Sequence, residues 1–106
     1  VSERYRVVAT ATFQDDVKRL EDHIVERELG SNTPDDACLF RVRDAVERAM
    51  GILSFAPHTC RRAEAQREYR ELIVPFGHGG CVVLFAIRDA GVLLLAARDQ
   101  HENDYR

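Results

Sequence analysis

Two runs near the C-terminus, CVVLFAIR (81–88) and VLLLAAR (92–98), are apolar at consecutive rather than alternate positions. Strands of that kind are hydrophobic on both faces, so they predict a sheet whose middle is buried from two sides. A chain of 106 residues has room for one domain around one core. The intervening DAG makes the two runs an antiparallel hairpin. YRELIVP (69–75) precedes them across PFGHGG and completes a three-strand meander, with glycines where the turns call for positive φ.

The first half of the chain has to cover that sheet. RYRVVAT (4–10) alternates and is rich in β-branched residues, which predicts a first strand. Thr12 offers an N-cap with Asp15 three residues on, and Phe13, Val17, Leu20 and Ile24 follow at helical spacing. In GSNTPDD (30–36), Gly30 suits a helix C-terminus, Thr33 an N-cap and Pro34 a first helical position. Leu39, Val42, Val46, Ala49, Leu53 and Ala56 then form a second apolar stripe, stopped by Pro57. Residues 58–68 are polar and aperiodic and read as a loop.

The expected fold is α+β: an N-terminal strand, an antiparallel helical hairpin, then the three-strand antiparallel meander, with both helices on one sheet face. Two helices cover only one face. The other is expected to carry Leu72, Leu84 and Leu94, edged by Arg70, Arg88 and Arg98. An apolar patch rimmed by arginines fits a protein-binding surface. The alternative is that residues 58–68 fold over it.

Charge narrows the function classes. The net charge is −3 and the sequence pI about 5.8, against the positive excess of proteins that hold nucleic acid mainly through its phosphates. Cys38, Cys60 and Cys81 are odd in number and widely spaced, which argues against a disulfide framework. His58-x-Cys60 and His78-x-x-Cys81 carry ligand atoms, but each pair is isolated and neither completes a four-coordinate zinc site. No metal and no cofactor is expected. No stretch approaches the roughly 18 apolar residues of a membrane span, and VSERYRVV lacks a signal-peptide pattern, so the expected location is the cytoplasm.

The order REYRELIVPFGHGG, CVVLFAIRD, VLLLAARDQHENDY resembles the C-terminal half of ParE/RelE-type toxins of bacterial type II toxin–antitoxin modules. That family often shows a "GR" after an "FP" at the end of its second helix, where this chain has FAPHTCR (55–61). It closes on an "R-H-Q-x-E-D-Y" pattern, where this chain has RDQHENDY (98–105). The N-terminal strand and helical hairpin fit as well, so the resemblance spans nearly the whole chain and is closer to ParE. It implies a toxin held inactive by a cognate, ParD-like antitoxin, touching DNA only through that partner. ParE-like members poison DNA gyrase by binding. RelE-like members cut mRNA on the ribosome, with strand-borne Arg or Lys and a C-terminal Tyr or His.

The nuclease alternative would draw on His101 or Tyr105 for proton transfer and on Arg70 and Arg98 to hold phosphate. Asp99 stands where the family has a histidine, an anion beside the phosphate position. The second and third strands contain no lysine, and the chain is acidic. The expectation is therefore a partner-binding surface made by Arg70, Leu72, Leu84, Leu94, Arg98 and Tyr105, with Tyr105 packing back on the sheet. A slip of one residue in strand register would reverse which of these face outward.

Overall fold

A computed structural model describes residues 4–76, 79–102 and 105 of the chain. The elements run β1 (Arg6–Ala9), α1 (Ala11–Leu29), α2 (Cys38–Phe55), a 3-10 turn (Pro57–Thr59), β2 (Arg61–Arg62), β3 (Arg70–Phe76), β4 (Gly79–Arg88) and β5 (Gly91–Asp99). They build one five-stranded sheet in the order β1-β5-β4-β3-β2. Strands β2 to β5 are antiparallel neighbours, and β1 lies parallel to β5 at the edge. This is the expected α+β fold with one strand more, since the segment read as a loop contributes β2. A two-residue strand of consecutive arginines has too short a run for any period to register.

Both helices pack on one face. Phe13 and Leu20 of α1 and Ala45, Ala49 and Leu53 of α2 form a single core with Val74, Val83, Phe85, Val92 and Leu94. Each helix starts elsewhere than its sequence predicts. Thr10, not Thr12, caps α1: its hydroxyl accepts from the Phe13 amide at 3.3 Å and donates to the Leu94 carbonyl at 2.7 Å. The cap therefore also ties the helix start to β5, an anchor that Thr12 has no strand edge to make. Thr33 and Pro34 do not open α2, whose cap position is Ala37 with no side-chain bond. Asp35 accepts from the Ala37 amide at 2.9 Å and pairs with Arg41. That local turn holds residues 34–37 out of the helix.

Two turn positions decide strand geometry. Between β4 and β5 the positive φ falls on Asp89, at 53°, and not on a glycine. Aspartate tolerates that conformation because its short side chain bonds locally. Gly80, opposite Pro75 in the ladder, has no room for a side chain, since a Cβ there would sit 2.7 Å from the Val74 carbonyl oxygen. Among the described residues, no helix is long and apolar enough to cross a membrane.

Candidate functional site

Residues paired across a sheet share a face, so register assigns each predicted surface residue. Leu72 pairs with Val83, and Val83 is part of the helix-covered core. Arg70 pairs with Phe85 and so lies on the helix side, where its guanidinium donates to the carbonyls of His58 (3.2 Å) and Cys60 (2.7 Å). Leu94 is itself a core residue, 1% exposed. These three of the six predicted partner-binding residues point the wrong way for that role. Leu84, Arg98 and Tyr105 do lie on the second face.

A β-bulge causes part of this split. Leu84 pairs with Ala96 but Phe85 pairs with Leu94, leaving Leu95 as an extra residue. The bulge reverses the parity of β5 between Leu94 and Arg98, so two residues four apart face opposite sides. Glu71, opposite Leu84, belongs to the same second face.

That second face is partly closed from within. Ala63, Leu84 and Ala96 form a small buried cluster with Tyr69, Leu95 and Tyr105 packed against it. An Ala63 amide bond to the Tyr69 carbonyl (2.9 Å) closes the turn between them over this cluster, and Tyr105 packs beside them. The segment-over-sheet alternative thus describes the centre of the face. Apolar surface remains at its margins, where Ile73 is 47% and Val8 41% exposed.

At the centre of the candidate site is a buried carboxylate. Glu71 accepts a hydrogen bond from the Tyr105 hydroxyl at 2.7 Å. Arg61 pairs with its other oxygen at 3.1 Å, and Arg98 lies 3.9 Å away. The Arg98 guanidinium also sits over the Tyr105 ring, 5.2 Å from its centroid, and donates to the carbonyls of Asp99 and Glu102. Its Nε is buried with no hydrogen-bond partner among the described residues. Burial first, then the hydrogen bond to Glu71 and that carboxylate's charge, hold the Tyr105 hydroxyl well above the usual phenol range, against an opposing pull from Arg98. Neither Glu71 nor Arg61 was singled out from sequence. A glutamate between Arg70 and Leu72 looks like ordinary strand alternation, and only the pairing register shows it facing inward.

The four nuclease candidates do not converge. Arg70 is on the helix side and Arg98 on the other, while Tyr105 is held by Glu71. His101 is exposed, its amide bonded to Asp99 at 2.9 Å, and it lines a groove of about 850 Å³ between α1 and the C-terminal segment with Arg19, His23 and Glu102. His58 meets Tyr5 edge to face with ring centroids 5.9 Å apart, and His78 lies outside the described residues. Among the described residues, no three His, Cys, Asp or Glu side chains are grouped to hold a metal ion.

A second polar chain links the site to α1. Asp16, 6% exposed, accepts from the Ala97 amide at 2.9 Å beside the bulge. Arg19 bridges Asp16 and Glu102, each at 3.5 Å, and the Glu102 carboxylate accepts from the Asp99 amide at 3.0 Å. The C-terminal segment is thus fastened from both sides of the sheet, through Glu102 toward α1 and through Tyr105 toward β3.

This arrangement of strand, helical hairpin and antiparallel sheet with a folded-back C-terminus is the ParE/RelE-type fold that the sequence resembles. A chain of the chromosomal ParDE toxin–antitoxin system from P. aeruginosa is similar over 92% of this chain and 98% of its own, with a TM-score of 0.67 and 18% identity. The conserved hypothetical protein HP0894 from Helicobacter pylori is similar over 92% of this chain and 97% of its own, with a TM-score of 0.55 and 16% identity. Neither a family model nor a curated protein matches the sequence.

Proposed function

We propose that this chain is the toxin of a type II toxin–antitoxin module, ParE-like, that poisons DNA gyrase by protein–protein contact and is neutralised by a cognate antitoxin. The observation that carries the reading is the end-to-end likeness in fold to the ParDE-system chain, with nothing large left over in either. The antitoxin lies along the second sheet face. There Arg98 and Tyr105 flank the margin left by Ile73, with Leu84 beneath, and the half-exposed Arg61 is available to an antitoxin carboxylate. Such a partner buries apolar side chains at the margin and pairs its acids with arginine.

The test incubates purified protein with gyrase, supercoiled plasmid and ATP. Protease treatment should release double-strand breaks that require gyrase and vanish when antitoxin is added. His101→Ala should leave these breaks unchanged, because the side chain lies on the α1 side. Intact plasmid from a preparation that still arrests growth would reject the gyrase reading and turn attention to mRNA on the ribosome.

A further inference from the structure

We propose that the outward face of α2 is a self-association surface that pairs two copies of this chain through antiparallel α2 helices. Successive helical residues turn by about 100°. Phe40, Asp44, Glu47, Gly51 and Phe55 therefore fall within about 80° of one another, opposite the buried Val42, Ala45, Ala49 and Leu53. The two aromatic ends of this stripe are bare: Phe40 is 71% and Phe55 61% exposed, with Ile52 beside them at 48%. Exposed phenylalanines on one helix face are surface that water disfavours and interfaces favour.

The order of residue types identifies the occupant as a second copy. A two-fold interface must be self-complementary, each residue meeting a suitable residue of the same patch. A two-fold axis passing between residues 47 and 48 sets Phe40 against Phe55 of the other copy. It sets Asp44 against Gly51 and Glu47 against Arg48, each twice. The aromatic ends thus stack, the glycine permits close approach, and the central charges are opposite in sign. Glu47 has no ion pair or hydrogen-bonded partner within the chain among the described residues, whereas Arg48 reaches Asp44 at 3.0 Å on its own helix. A Cβ added at Gly51 meets nothing within 4 Å, so the glycine answers no packing need inside the chain. A helix costs stability to keep such a residue unless something outside it comes close.

A single helix pair about 22 Å long falls short of the roughly 800 Å² per partner of a standard interface, so the dimer should dissociate on dilution. The inference does not depend on the toxin reading and is tested without gyrase. Sedimentation velocity of the purified chain from low to high micromolar concentration should show a mass rising from 12.1 kDa toward twice that value. Gly51→Glu places a carboxylate opposite Asp44 where a side chain meets nothing within the chain, and should weaken association at least tenfold while the melting temperature does not fall, since glutamate favours the helix over glycine. Glu47→Arg alone should weaken it similarly, and Glu47→Arg with Arg48→Glu should restore it to within about threefold, because opposite charges again face across the axis. A chain that stays monomeric throughout overturns the proposal. So does a dimer indifferent to Gly51→Glu, which would be using another face.

Discussion

Glu71 is 9% exposed and has cations on two sides and a phenol on a third. Removing a carboxylate so placed strips its buried partners of their compensation. Glu71→Ala should therefore cost about 2–3 kcal/mol, because the Arg98 guanidinium loses its carboxylate in a buried setting and the Tyr105 hydroxyl loses its bond to Glu71. Tyr105→Phe removes one hydrogen bond while Arg61 still satisfies the carboxylate, and should cost about 1 kcal/mol. Urea unfolding of the two variants checks the ordering, and a Tyr105→Phe variant as stable as the parent would mean that the ring rather than the hydroxyl fastens this segment. Arg98 and Tyr105 were legible in the sequence because they stand in a pattern shared with other chains. Glu71 and Arg61 were not, since their meaning depends on which residue each opposes across the sheet.

Elements raise a different problem, because β5 outruns its parallel neighbour. Strand β1 pairs only as far as Leu94, leaving the rest of that edge of β5 to be satisfied by something else. Helix α1 does it with side chains: Thr10 meets the Leu94 carbonyl, and Asp16 meets the Ala97 amide. Buried backbone amides without partners are costly, so Asp16 is a structural residue despite its charge. Asp16→Ala should destabilise by about 2–3 kcal/mol, whereas Asp16→Asn, which keeps a carbonyl acceptor, should recover at least half. Hydrogen exchange at the Ala97 amide reads this directly, and protection unchanged in Asp16→Ala would remove the assignment. The helices were visible as periodic runs, and the three long strands as short apolar runs bounded by turn residues. The bulge at Leu95 was invisible, since an extra residue in an all-apolar strand leaves no break in the pattern, yet it decides that Leu94 and Arg98 face opposite ways. That one residue accounts for the misplacement of Leu94 in the expected surface, and the β3–β4 register accounts for Arg70 and Leu72.

At the scale of the whole molecule, two strongly raised groups link stability to alkaline pH, with a smaller contribution from Cys60, whose thiol burial also raises against the charge of Arg70. Burial, aided by the charge of Asp99, pushes the Cys81 thiol up from 9.0 to about 11, and the Tyr105 hydroxyl is raised as well. Both groups are neutral when protonated, and the fold holds their protons more tightly than the unfolded chain does. Their contribution is therefore fully present below pH 9, where both states are protonated. It is lost as pH rises, because the unfolded chain ionises first and is stabilised by doing so. For Cys81 the window runs from about 9 to 11 and amounts to about 2–3 kcal/mol. Tyr105 extends the loss above about pH 10, where an unfolded phenol begins to ionise. The free energy of unfolding in urea should be flat between pH 7 and 8.5 and fall steeply beyond 9. Cys81→Ala should flatten the curve between 9 and 10 while leaving the steeper fall above it, and Tyr105→Phe should do the reverse. Because Cys81 lies under both helices and Tyr105 on the opposite face, the two variants report on the two sides of the sheet separately. A Cys81→Ala curve that falls between 9 and 10 as steeply as the parent's would mean that the Cys81 thiol ionises as readily in the folded chain as in the unfolded one, and so that solvent reaches it beneath the helical hairpin.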